Sequence, residues 1–211
     1  MPSLTPIYRI IHINNLRVLL EDGGIWCGNA MKQRGTAYQS IGNQALTEKR
    51  AARLVNCCNQ GNLNDYVPFY FCPRSVMLFQ IHKRHESTYM GGQEPVIHLE
   101  SNMSILQRMG LPFFFTDRHA FKHYAKQIDD PTRLSELDWT TINSEWWNNT
   151  LEDNERQERK MAECLVYRFV PWKCILRIGV YSKRYKDEAE AALRQFGLNT
   201  SVDIRTGWYY N

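Results

Sequence analysis

Hydrophobic positions along this chain fall in short blocks, and the period changes from block to block. "IYRIIH" (7–12) is rich in β-branched residues and predicts a strand. "NNLRVLLEDGG" shifts to helical spacing: Asn14 or Asn15 can cap it, Leu16, Leu19 and Leu20 share a face, and Gly23-Gly24 stops it. Residues 25–64 show no clean period and are rich in Gly, Asn and Gln, which predicts a long irregular segment, usually a functional one. "DYVPFYF" (65–71) reads as an aromatic strand, with Pro68 marking an edge or a bulge. A short helix with Met77, Leu78 and Ile81 on one side follows it. Next come the strand "PVIHLE", the helix "SNMSILQRMG" capped by Ser101 and closed by Gly110, the strand "PFFFTD" and the helix "HAFKHYAK". Residues 129–160 are polar, with Trp139, Trp146 and Trp147 scattered among them. "ECLVYRFV" and "CILRIGVY" are strands separated by Pro171-Trp172, "KDEAEAALRQFG" is a helix, and "SVDIRTGWYY" supplies a last strand.

Strands and helices thus mix without a regular βαβ rhythm, which predicts an α+β fold with largely antiparallel sheets. The pattern contains no repeat and no linker, so residues 1–211 are expected to form a single domain. The 43% apolar content suffices for a core and argues against disorder. No apolar run approaches the roughly 20 residues of a membrane helix, and the start lacks the regions of a secretory signal. Net charge is +4, which permits nucleic-acid binding without requiring it. The six cysteines show no C-x-x-C spacing, and two lie in predicted strands. This points to reduced thiols in a cytoplasmic protein, with no metal site expected.

Several side chains stand out. Glu163 opens the strand "ECLVYRFV" directly after a charged segment. It reads either as a solvated edge residue or as a carboxylate held rigidly at the rim of a cleft. There it could bind a sugar hydroxyl and stabilise positive charge developing on a ribose. His12 ends the first strand, as a packing residue or as a partner for a ribose hydroxyl. Arg50 in "EKRAAR" belongs to a solvated helical face or clamps a phosphate or base. Asp117 and His119 in "FTDRHA" could form an acid–base pair, while Asp117 equally suits a helix cap. Core packing explains most of Tyr66, Phe69, Tyr70 and Phe71, and an exposed aromatic beside Arg74 would also suit stacking of an unpaired base. The glycine pairs match neither a dinucleotide fingerprint nor a P-loop.

Taken together, "IYRIIHINNL", "SIGNQALTEKRAARLV", "DYVPFYFCPRSVMLF", "PFFFTDRHA", "MAECLVYRFVPW" and "TGWYY" resemble the DarT family, the DNA ADP-ribosyltransferase toxins paired with a macrodomain antitoxin. The blocks span nearly the whole chain in the family's order, with Met161 where the family often has glutamine. The resemblance implies an ADP-ribosyltransferase fold with a split, mostly antiparallel β-sheet core flanked by helices. It also implies transfer of ADP-ribose from NAD to a base in single-stranded DNA, typically thymine and in a related branch guanine, so that replication is blocked. Glu163 and Arg50 are then the catalytic pair. His12, Asn14, Gly42, Arg50 and Tyr70 contact NAD, and Arg74, Met77, His119 and Trp147 contact DNA. The expected partners are single-stranded DNA and a DarG-like macrodomain antitoxin in the bacterial cytoplasm, without membrane or metal. Arginine is a poor proton acceptor, so Arg50 is expected to orient the base and balance negative charge as its proton leaves. The rival readings are an NAD glycohydrolase, a non-catalytic single-strand-binding module, and a metal nuclease built on His82, His85 and Asp117.

Overall fold

The computed structural model describes residues 4–211. Among them the strands are β1 (Pro6–His12), β2 (Gly24–Trp26), β3 (Tyr66–Tyr70), β4 (Val96–Asn102), β5 (Phe113–Thr116), β6 (Gln127–Ile128), β7 (Glu163–Tyr167), β8 (Phe169–Pro171), β9 (Arg177–Val180) and β10 (Ser201–Ile204). The α-helices are α1 (Leu16–Glu21), α2 (Gly28–Arg34), α3 (Gln44–Ala51), α4 (Val76–His82), α5 (Met103–Arg108), α6 (Trp139–Asn143), α7 (Arg156–Lys160) and α8 (Lys183–Gln195). The fold is α+β, as the block pattern predicts. One sheet runs β10-β9-β4-β1-β3-β7-β5-β6, and β2 pairs with β8 in a small second sheet. Within the large sheet β9 and β10 are parallel and the other neighbours antiparallel.

The sheet is nearly split at its centre. β1 and β4 match over seven pairs, from Pro6 with Asn102 to His12 with Val96. Among the described residues β1 meets β3 at one pair, Tyr8 with Tyr70. Pro68 lies just beyond it. β3 is therefore central, not the edge strand that its proline predicts. A proline is tolerated there because its missing N–H lies on the side where the ladder has opened, and its carbonyl accepts instead from Arg9 Nη1 at 3.0 Å. The gap between β1 and β3 is where the cleft forms.

Other expectations shift for local reasons. Residues 25–64 are not one irregular stretch but carry β2, α2 and α3. Asn102 caps α5, its side chain accepting from Ile105 N–H at 2.8 Å, while Ser101 is buried in β4 and donates to the Cys174 carbonyl. Arg168 adopts φ +57°, so the predicted strand "ECLVYRFV" breaks into β7 and β8, which join different sheets. The helix predicted for "HAFKHYAK" is absent among the described residues. Its backbone is engaged elsewhere: His119 N–H donates to the Glu158 carbonyl at 2.9 Å, Ala120 N–H to a Glu163 carboxylate oxygen and Lys126 N–H to Asp117.

The main core lies on one face of the sheet, around Ile7, Ile11, Phe69, Phe115, Cys164 and Val166, with Leu193 of α8 closing it. A smaller cluster on the other face joins Ile10, Leu78, Ile81, Val96 and Tyr209. Tyr209 is fully buried, its hydroxyl 2.8 Å from the Val96 carbonyl of β4 and 3.2 Å from the Gly179 carbonyl of β9. Trp208 packs closely on Gly179, where a Cβ would come within 2.3 Å of its ring. The predicted last strand therefore ends at Ile204, and "TGWYY" folds back over the sheet.

His98, also buried under this closing segment, places Nε2 3.0 Å from the Pro73 carbonyl. Burial pushes its pKa from 6.5 down to about 4. The unfolded chain then binds more protons than the folded one between those values. Its contribution is fully present above pH 6.5 and is lost as pH falls toward 4. We expect the melting temperature to drop steadily from pH 7 to pH 4.5, and the slope to flatten in His98→Gln even if that variant melts earlier. An unchanged slope would assign the acid sensitivity to other groups.

Candidate active site

Where β1 and β3 part, a cavity of about 370 Å³ opens between the sheet, α3 and α4. Glu163 forms part of its wall. It is the first residue of β7, paired in the ladder with Tyr70, so backbone on both sides fixes its direction. Its side chain is only 2% exposed. Among charged side chains, such burial persists when the carboxylate is supplied with donors. Ala120 N–H donates to Oε1 at 3.1 Å, and Arg50 Nη1 donates to Oε1 at 3.2 Å and lies 3.1 Å from Oε2. The main-chain N–H of Glu163 donates to Thr116 Oγ1 at 3.2 Å. The solvated-edge reading of Glu163 is thereby removed.

Arg50 comes from the last turn of α3, whose side chains are all at least partly exposed. The helix is capped by the Asn43 side chain, which accepts from Leu46 N–H at 3.0 Å, and Asn64 Nδ2 donates to its Thr47 carbonyl at 2.8 Å. The ion pair to Glu163 is thus a main link from this outlying helix to the sheet. Arg50 Nη2 is buried without a hydrogen-bond partner among the described residues, as are Arg9 Nε and Trp26 Nε1 on the same cavity. All three side chains line one cavity, and their unpaired donors would find acceptors if these side chains turned toward a ligand there.

His119 Nε2 sits 3.8 Å from Glu163 Oε1. Burial pushes its pKa below the ordinary value, with Glu163 opposing in part, so the ring is neutral near pH 7 and the contact is no ion pair. Asp117 pairs with Arg118 rather than with His119. Tyr70 donates its hydroxyl to Met77 Sδ at 3.7 Å, and burial followed by the Glu163 charge holds the phenol far above its usual range. Gly42 also faces the cavity, and a Cβ there would touch the Met77 methyl at 3.4 Å.

Of the expected site residues, Glu163, Arg50, Tyr70, Gly42, Met77 and His119 converge on this cavity. His12 and Asn14 line a neighbouring one. Arg74 is engaged by Glu145 at 2.6 Å. Trp147, expected on the DNA, is 6% exposed and packs edge-on against Phe79, whereas Trp146 is 78% exposed. A stacking platform in this segment therefore has to be Trp146. Lys160, 3% exposed, donates to the carbonyls of Ile142 and Ser144 at 2.7 and 2.9 Å and so ties this polar segment to the strand that carries Glu163. Among the described residues no group of three or more His, Cys, Asp or Glu is arranged to hold a metal. Sequence reasoning missed the Ala120 amide, Arg9 and Trp26. The motif "FTDRHA" marked the right segment through Thr116 and His119, but the donor it supplies to the Glu163 carboxylate, Ala120 N–H, is main-chain and leaves no trace in residue type.

Residues 8–210 match the family model described as "ssDNA thymidine ADP-ribosyltransferase, DarT". A DNA ADP-ribosyl transferase of Thermus sp. (strain 2.9) is 42% identical, over 99% of this chain and 98% of the relative. The structure of Thermus sp. 2.9 DarT in complex with ADP-ribosylated single-stranded DNA superposes with a TM-score of 0.91 at 39% identity, covering 100% of both chains. The same protein in complex with NAD+ gives 0.86 at 40% identity over 99% of both. The split sheet and the sequence blocks that meet at Glu163 are thus accounted for by descent: the chain belongs to the DarT family of single-stranded-DNA thymidine ADP-ribosyltransferases.

Proposed function

We propose that this cleft transfers ADP-ribose from NAD to thymine in single-stranded DNA, with Glu163 as the catalytic carboxylate and Arg50 as its partner. The observation that carries the reading is the buried Glu163 carboxylate, held by Ala120 N–H and Arg50 on a cavity lined by three side chains with unpaired donors. Turned toward the cavity, those donors suit a dinucleotide, which is dense in phosphate and carbonyl acceptors. The relatives' complexes with NAD+ and with ADP-ribosylated DNA support the same pairing of substrates.

The glycosidic bond of NAD breaks with its electron pair leaving on nicotinamide, and the ribose becomes cation-like. Glu163 accepts a hydrogen bond from the ribose 2′-hydroxyl and offsets that charge. The ring nitrogen of thymine bonds to the anomeric carbon, and its proton leaves to the Glu163 carboxylate. Arg50 Nη2 donates to a base carbonyl and balances the negative charge that builds there. Tyr70, Met77 and neutral His119 shape the pocket for the base. Single strands are the natural substrate because no unpairing energy is required. Trp146 offers a stacking face to a flanking base.

The biological consequence is blocked replication in the bacterial cytoplasm, restrained by a macrodomain antitoxin. Among the described residues no helix is long and apolar enough to cross a membrane. The test is a panel of oligonucleotides incubated with NAD and read by mass spectrometry. Thymine-containing single strands are expected to gain one ADP-ribose, and strands lacking thymine to gain none. NAD consumed at the same rate without DNA, with every oligonucleotide unmodified, would make the protein a glycohydrolase.

A further inference from the structure

The family resemblance implies that His12 holds a ribose of NAD, yet both of its ring nitrogens are engaged within the protein. Nδ1 accepts the main-chain N–H of Asn14 at 3.2 Å. It is therefore the unprotonated nitrogen, and the proton sits on Nε2. Nε2 lies 3.2 Å from the hydroxyl of Tyr89, so it is the donor in that bond. The two rings also meet edge to face, with centroids 5.1 Å apart at 76°. A neutral imidazole has one donor and one acceptor. A ribose hydroxyl that binds His12 must take a place now held by main chain or by Tyr89, and the side chain is the one free to leave.

The surroundings of Tyr89 are those of a partition. Its N–H donates to the Ile41 carbonyl at 3.3 Å, and Ile41 and Thr88 line the cavity of Glu163. Its own ring lines the adjacent cavity of about 660 Å³, together with His12, Asn14, Arg84 and Arg184. The ring lies directly over Gly91: a Cβ there would be 2.1 Å from the Tyr89 hydroxyl oxygen and 2.2 Å from Cζ. Glycine at 91 is what lets the ring rest in this place. The next residue, Met90, is 57% exposed, so the tyrosine is carried on a surface segment.

We propose that the Tyr89 hydroxyl occupies the hydrogen-bonding position on His12 that a ribose hydroxyl of NAD takes, and that Tyr89 sets the affinity for NAD by having to yield it. This rests on the assignment of His12 to NAD. The competition is between one neutral hydrogen bond and another, so removing the competitor changes affinity by a modest factor.

The test compares Tyr89→Phe, Gly91→Ala and His12→Ala with the parent in two measurements. One is the KM for NAD in oligonucleotide modification. The other is the Kd for carba-NAD, a dinucleotide that resists cleavage. Tyr89→Phe keeps the ring and frees Nε2, and is expected to lower both constants roughly threefold to tenfold. Gly91→Ala displaces the ring and is expected to act in the same direction. Constants that rise or stay put in Tyr89→Phe, while His12→Ala weakens NAD, overturn the role of Tyr89 and leave His12 in the site. Constants that stay put in His12→Ala overturn the assignment of His12 and the proposal with it.

Discussion

Glu163→Gln is expected to lower the rate of DNA modification by at least about a hundredfold at saturating NAD, with the fold intact. The substitution keeps the shape and an oxygen that can accept from Ala120 N–H, now 3.1 Å from Oε1. It removes the charge and turns the other oxygen into an amide donor that no longer accepts from Arg50. A preorganised group aimed at charge that exists only in the transition state contributes on the order of 3–4 kcal/mol, which sets the size of the loss. The side chain is 2% exposed and sits in a low-dielectric wall, where such a group acts most strongly. The measurement is single-turnover modification of a thymine-containing oligonucleotide, alongside thermal melting of the same sample. A folded variant that works within tenfold of the parent would remove Glu163 from the catalytic role.

Arg50→Ala is expected to act on both rate and stability. One guanidinium nitrogen straddles the two oxygens of Glu163 at 3.2 and 3.1 Å, in side chains 12% and 2% exposed. Deleting it leaves a buried carboxylate with its charge uncompensated, a change that typically costs about 3–5 kcal/mol. It also frees α3, whose side chains are otherwise poorly buried. The rate at saturating NAD should fall by on the order of a hundredfold, because the unpaired Nη2 donor is lost with it. Lysine at this position restores charge but not the second nitrogen, so Arg50→Lys should recover stability more fully than rate. The double variant with Glu163→Gln should lose less than the product of the single losses, because each residue acts through the other. Unchanged turnover in Arg50→Ala would take Arg50 out of the active site.

How much of this is legible in the sequence depends on whether residue type or chain path carries the information. β1, β4 and β5 are read correctly because β-branched and aromatic residues crowd between polar breaks. Glu163 is found because an acid at the start of an apolar run is chemically odd. The misread places are those where tertiary contacts outbid local preference. "HAFKHYAK" has helical spacing, but its amides go to Glu158, Glu163 and Asp117. Pro68 suggests an edge, yet the sheet opens beside it. Trp146 and Trp147 are identical as letters and adjacent in sequence. Which one faces solvent is decided by Phe79, remote in sequence on α4.

Tyr209 fastens together strands that lie far apart in sequence. Its hydroxyl joins β4 to β9, and Tyr210 packs against Phe79 on the helix that borders the cleft. Without that pair the chain would hold Glu163 and Arg50 yet lose the clasp between β4 and β9 and the aromatic brace on α4. A segment far from Glu163 in sequence thus holds together the half of the sheet against which α4 rests.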